Sequence, residues 1–268
     1  ASDVYKRQPE NNIVTIQPDS LRILHNPLTG WVLYASMGVD AADFWAQYDH
    51  MYIPELGHNV SVTDYAHTLY IRASWTDFNP QEDVYGWKID SNLRAYIEGA
   101  YQRNMRLAFR VVVDSRDKRT EFTPQFVKDA GAKGFMNKGK WSPYSDDPVF
   151  QKYYTKFVKA LAKDFNDPSK VEFIDGFGLG KWGEYHTMIY STGDDTPKKA
   201  VFDWVTDIYS QAFDKVPVVI NYHRWIGAGK DWVDDEHFAA DSEEMLEEAI
   251  KKGYSLRHDA FGMTTYYG

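Results

Sequence analysis

The sequence predicts an α/β fold in which parallel strands alternate with helices, and three observations carry that expectation. Six near-continuous apolar runs recur along the 268 residues, and segments with apolar residues three and four apart stand between them. No linker, low-complexity stretch or shift of composition interrupts the alternation. Apolar runs with only occasional polar residues fit strands covered on both faces. Repeated strand–helix–strand units imply right-handed crossovers onto a parallel neighbour.

The strands are expected over 30–35 (GWVLYA), 67–73, 106–113, 171–177, 216–222 and 254–260. Between the second and third, Asp90 and Ser91 supply a cap for a helix whose inward stripe is Leu93, Tyr96, Ile97, Ala100 and Tyr101. Between the third and fourth, Asp147 followed by Pro148 opens a long helix with the stripe Phe150, Tyr154, Phe157, Val158, Leu161 and Phe165. A third helix starts near Pro197, with Val201, Trp204, Val205, Ile208 and Tyr209 at helical spacing. The fourth, DSEEMLEEAIKKG, sets acids in its first turn, lysines in its last and Gly253 as its stop, an order that suits the helix dipole.

Long segments fall at 38–66, 114–147 and 179–196, and two of them follow the carboxyl ends of the third and fourth strands. Long loops on that one side are how a β/α barrel carries its site. The expected fold is therefore a TIM (β/α)8 barrel truncated after about six strands, with a doubly wound open sheet as the structural rival. Residues 9–268 read as one incomplete barrel domain. The first eight, ASDVYKRQ, have no signal-peptide apolar run and the look of adapter-derived, non-native sequence.

Composition narrows the function. A net charge of −9, with basic residues scattered among acids, argues against nucleic acid as partner. No apolar run reaches the length of a membrane span. The absence of cysteine removes disulfides, thiol catalysis and cysteine-held zinc together. Nine tryptophans and nineteen tyrosines exceed what a core needs, and a sugar-binding cleft would account for the excess.

The stretch GFGLGKWGEYH, 176–186, follows the fourth strand. Gly178 to Gly183 match G-x-G-x-x-G, but no helix starts inside the motif to receive a pyrophosphate, so the dinucleotide reading is set aside. If the backbone here is extended, alternate side chains share a face. Trp182, Glu184 and His186 would then line one wall, with Glu184 half-desolvated by its aromatic neighbours, as a proton donor requires. The plainer alternative is a glutamate that pairs with an arginine to hold the loop.

With those residues in view, the chain resembles the large clan of retaining glycoside hydrolases built on (β/α)8 barrels. Strand four ending in Trp182-Gly183-Glu184 looks like the acid/base position of that clan. ASWTDFNPQEDVYGWKID, with Trp75, Pro80, Glu82, Tyr85 and Trp87, is similar to the loop that β-galactosidase-like members carry after strand two. NPLTGWVLY at the first strand and the G-x-W-G-E-x-H motif look most like an uncharacterised bacterial branch. The resemblance implies a carbohydrate substrate, no cofactor, and a periplasmic or secreted location. It implies Glu184 as general acid/base, with Trp182 and Trp75 stacking on sugar rings. Two departures stand out: Gly183 where the clan has Asn, and Asn79 where the loop has Glu. The second carboxylate is expected beyond residue 268, so the polypeptide as it stands is expected to be inactive.

Other polar residues fall near strand ends. Asp114 and Arg116, just past strand three, and Asn221, His223 and Asp259, at strands five and six, are placed for substrate contact alongside His186. Arg72 and Arg110 lie inside apolar strands and are expected to pair with a carboxylate from a neighbouring strand. A metal centre from His186, His223, His258 and Asp259 is the third-ranked reading, behind a glycosidase and a non-catalytic sugar-binding barrel.

Overall fold

The computed structural model describes residues 30–222, 225–229 and 241–259. Chain order opens with β1 (Trp31–Tyr34), α1 (Ala41–Asp49), the hairpin strands β2 (Met51–Ile53) and β3 (His58–Val60), and β4 (Ala66–Ser74). Two short helices, α2 (Trp75–Phe78) and α3 (Gly86–Ile89), precede α4 (Ser91–Gln102) and β5 (Arg106–Val112). Next come α5 (Gln125–Asp129), a second hairpin of β6 (Gly134–Asn137) and β7 (Lys140–Pro143), α6 (Pro148–Phe165) and β8 (Val171–Asp175). The described part closes with α7 (Lys198–Ala212), β9 (Val218–Asn221), α8 (Ser242–Lys251) and β10 (Ser255–Arg257). All six expected strands form, within two or three residues of the expected bounds. They pair in parallel in the order β1-β4-β5-β8-β9-β10, the succession of a β/α barrel rather than of a doubly wound sheet.

Alternation along the strands sorts the two faces of this sheet. Leu69, Ile71 and Ala73 of β4, Leu107, Phe109 and Val111 of β5, Ile174 of β8, and Val218 and Ile220 of β9 join the main hydrophobic cluster with the helices. The residues that alternate with them include Tyr70, Arg72, Ala108, Arg110, Asp175, Val219 and Asn221, and Arg110 and Tyr70 both meet Asp175 while Arg110 also meets Asn221. Arg257 of β10 donates from Nη1 to the Tyr70 hydroxyl of β4 at 3.2 Å. Those strands are four steps apart in the sheet, which at about 4.8 Å per step is roughly 19 Å if the sheet is flat. Side chains standing off a flat sheet do not meet over that span. The sheet is curled toward closure, with its polar face inside.

The helices form where their caps and stripes predict. Asp90 accepts from Leu93 N, and Asp147 accepts from Phe150 N with Pro148 at the first helical position. A helix and two hairpins, besides the short α2, α3 and α5, were not expected. In 38–66, Asp40 caps α1, which buries Ala41, Phe44 and Trp45, and a hairpin follows. In 114–147 the β6–β7 hairpin stands where a loop was expected. The spacing of Ala41, Phe44, Trp45 and Tyr48 behind an Asp cap was a readable helix signal.

Trp75 corrects a sequence expectation. It is fully buried and meets Phe150, Tyr154 and Phe157 at ring separations of 5.9, 5.2 and 5.9 Å, so it offers no surface to a sugar. The rest of that stretch is also committed to packing: Tyr85 stacks on Trp87, whose indole donates to Asp164 at 2.7 Å, and Glu82 pairs with Lys156. Asn79, which replaces a glutamate of the resembling loop, is buried and closes its own turn onto the carbonyls of Gln81 and Val84. Trp75→Ala is expected to remove about 3–5 kcal/mol of stability, read as a lowered urea midpoint with an unchanged slope.

Candidate functional site

Ionic groups fill the inner face. Arg110, in the middle of β5 and 1% exposed, donates from Nε to Asp175 at 2.9 Å and from Nη1 to Glu184 at 3.2 Å. Its Nη2 donates to Asp259 at 3.0 Å and to the Asn221 side chain at 3.4 Å. Asp175, with no exposure, also accepts from the Tyr70 hydroxyl at 2.5 Å and from Arg257 at 2.7 Å. Arg257 in turn bridges to Asp259. Three arginines (Arg72, Arg110, Arg257) therefore face three carboxylates (Asp175, Glu184, Asp259). Each unpaired charge here would cost several kcal/mol, so the mutual pairing is what makes burial tolerable. The expectation that Arg72 and Arg110 are paired holds.

Burial opposes the charge on Arg110, but Asp175, Tyr70, Asp259 and Glu184 outweigh it and raise its pKa well above the ordinary value. Burial, reinforced by the Asp175 charge, pushes the Tyr70 phenol well up, so it stays a donor. Burial also opposes the charge on Asp259, yet Arg110 and Arg257 hold its carboxyl below the usual range.

Glu184 is delivered by a loop that is not extended. Between 180 and 187, positive φ occurs at Gly180, Trp182, Gly183, Tyr185 and Thr187. The non-glycine residues among them carry strain of order 1–2 kcal/mol each, which persists only where contacts over-determine it. Those contacts are present. Tyr185 is fully buried, its N–H reaches Leu179 O at 2.9 Å and its carbonyl accepts from Gly227 N at 2.7 Å. Lys181 N donates to His186 O at 3.0 Å, and Arg72 Nη2 donates to Trp182 O at 2.7 Å. Glycine is favoured twice over at 183: its φ is +71°, and a Cβ would lie 3.2 Å from Val111 O, so a side chain there makes the neighbour shift. The asparagine of the resembling clan does not fit this backbone without movement.

The expected wall of Trp182, Glu184 and His186 is thus corrected in its cause and in one member. His186 is fully buried and lies beneath the carboxylate, its Nε2 3.4 Å from Glu184 Oε2 and its Nδ1 2.8 Å from the Thr187 hydroxyl. Trp182 packs edge-on against it at 5.7 Å, and the Lys181 amine lies 4.6 Å from the indole centre. Cationic groups, rather than aromatic surface alone, surround Glu184: Arg110 at 3.2 Å and Arg72 at 3.8 Å.

Glu184 keeps 18% side-chain exposure and opens into a cavity of about 470 Å³ at the carboxyl ends of β4 and β5. Tyr34, Arg72, Lys118, Phe122 and Trp182 line it with Glu184. Asn221 and Asp259 sit next to this group through Arg110, and both are engaged in ion pairs or hydrogen bonds. Asp114 and Arg116 are corrected. Both are buried, and they pair with each other at 2.8 Å while Ser142 of the β6–β7 hairpin donates to Asp114 at 3.4 Å. They brace the hairpin instead of facing the cavity. His223 lies outside the described residues. His258 is exposed, and among the described residues no group of three or more His, Asp or Glu is arranged to hold a metal. A second cavity, of about 570 Å³, lies away from these ions beside Asp49, His50 and Arg103.

Sequence reasoning missed Tyr34, Lys118 and Phe122. Their signal was positional: each follows or ends a strand on the same rim as Glu184. Among the described residues no helix is long and apolar enough to cross a membrane.

No protein-family model and no curated protein matches the chain. Among solved structures it is similar to xylanase B from Clostridium stercorarium F9, at 14% identity and a TM-score of 0.47 over 85% of this chain and 60% of that one. An endogalactoceramidase matches at 12% identity and 0.46, over 86% and 63%. Endo-glycoceramidase II from Rhodococcus sp. matches at 13% and 0.45, over 83% and 60%. The chain spans about 60% of the length of these structures.

The lowered carboxyl of Asp259 fixes a pH signature. A depressed folded-state value stabilises the fold above the ordinary aspartate range, about 3.9, and that contribution is lost as pH falls through the lowered value. Urea titrations from pH 7 to pH 2 are expected to show Asp259→Asn less stable than wild type at neutral pH, with the gap narrowing only below about pH 4.

Proposed function

We propose that this barrel hydrolyses O-glycosidic bonds of an oligo- or polysaccharide, with Glu184 as the general acid/base. The observation that carries the reading is a carboxylate, Glu184, at the carboxyl rim of a parallel sheet, oriented by two guanidiniums and an imidazole and open to a cavity beside an indole. Catalytic groups of β/α barrels sit on that rim. In the forward step Glu184 delivers its proton to the leaving glycosidic oxygen, and Arg110 and Arg72 stabilise the carboxylate left behind. His186, on the other carboxylate oxygen, holds the group in one orientation. Half-buried Trp182 offers an apolar face to a sugar ring. Glycosidic cleavage takes two carboxyl groups, and Glu184 is the one assigned here.

A second reading, a non-catalytic sugar-binding barrel, is favoured by the ion pairs that engage Glu184 and by Gly183 and Asn79 at the two departures. The experiment that separates them is turnover of aryl glycosides by the full-length protein. Removing a general acid lowers kcat by about 10²–10⁴-fold. Glu184→Gln is expected to lose activity in that range while still binding sugar; undiminished turnover in Glu184→Gln removes Glu184 as the acid, and sugar binding with no turnover in the parent favours the binder.

A further inference from the structure

The cavity beside Glu184 holds a cation that forms no salt bridge among the described residues. Lys118, half-buried on the segment after β5, lines the cavity with Arg72, Phe122, Trp182 and Glu184. Its amine lies 5.3 Å from the Phe122 ring centre, and among the described residues it has no salt bridge. The acids within reach are committed elsewhere. Asp117, its neighbour in sequence, pairs with Lys138 at 3.6 Å and Lys181 at 3.5 Å. Asp77, on the cavity lining, is held by the capping box of α2, accepting from Ser74 N at 3.2 Å. Glu184 is held by Arg110, with Arg72 beside it.

Arg72 adds a second cation to the same cavity. One terminal nitrogen donates to the Trp182 carbonyl, and the other stands 3.8 Å from Glu184, beyond a good hydrogen bond. Burial and the Arg72 charge lower the Lys118 pKa against the opposing pull of Asp117, Glu184 and Asp114, so an anion placed between the two cations would relieve the remaining repulsion. A neutral sugar recognised only by stacking and hydroxyl contacts does not call for this pair. We infer that the sugar bound next to Glu184 bears a negatively charged substituent, a carboxylate or a sulfate ester, received by Lys118 and Arg72 while Phe122 and Trp182 supply the apolar floor. This deepens, and rests on, the reading of the cavity as a carbohydrate site.

The test is binding rather than turnover, so its outcome separates from that of the catalytic assignment. Full-length protein carrying Glu184→Gln is titrated calorimetrically with glucuronate and galacturonate, with galactose 6-sulfate, with glucose and galactose, and with inorganic sulfate. As reducing sugars these probes present both anomers. At least one anionic sugar is expected to bind about tenfold or more tightly than its neutral counterpart, with affinity falling as salt rises. Carboxylate and sulfate arms identify the substituent. Lys118→Met is expected to abolish the preference and Lys118→Arg to retain it; both changes fall on a half-exposed loop, and circular dichroism confirms folding. Equal affinity for neutral and anionic sugars, or no binding of any anionic sugar, overturns the inference whatever Glu184 does in turnover. Inorganic sulfate binding as tightly as the sulfated sugar overturns it too, leaving a simple anion site.

Discussion

The constraint on which the rest depends is that the inner face of this sheet is ionic. A guanidinium in the middle of β5 has no water to turn to, and Arg110 is stable there only because β8, the loop after it, β9 and the end of β10 each bring it an oxygen. Those oxygens come from four directions, so the strands that carry them are drawn around the cation. An apolar inner face would pack equally well at many curvatures. An ionic one, with Tyr70 and Arg257 reaching across from strands four steps apart, specifies one.

That requirement reaches the cavity through Glu184. The carboxylate neutralises part of Arg110 and is itself presented by a loop with positive φ at five of eight positions. Such a loop is strained, and it is pinned from below by the buried Tyr185 and His186 and from the side by Arg72 on the Trp182 carbonyl. The ion network and the strained loop thus support each other. One supplies the anchor, the other places a carboxylate where it both closes the network and meets the cavity. The same network leaves Lys118 with a ring contact but no salt bridge among the described residues, which is why its charge is informative.

Much of the fold was legible because burial on both faces leaves a strong local signal. RLAFRVV reads as a strand, and its lone internal Arg reads as paired, from seven residues. The caps Asp90 and Asp147 announce their helices. What was lost is non-local. Nothing near Trp75 in sequence says that it faces Tyr154 and Phe157 rather than a rim. Nothing near Asp114 and Arg116 says that they satisfy one another beneath a hairpin. At 182–186 the error was one of backbone: alternate residues share a face only in extended chain, and Trp182 and Tyr185 are left-handed. Glu184 and His186 still meet, but as one group stacked above another. The glutamate itself was legible from its place after the fourth strand, and an arginine partner and a neighbouring His186 were among the readings; that the arginines are Arg110 and Arg72 was not.

The most direct measurement is a double-mutant cycle across the curl, pairing Tyr70→Phe of β4 with Arg257→Met of β10 and reading unfolding free energies in urea. These strands touch only if the sheet curls around its ions. The account predicts a coupling of about 0.5–3 kcal/mol between the two changes. Additive effects, with a coupling below about 0.3 kcal/mol, would mean that the two side chains do not meet and would contradict it.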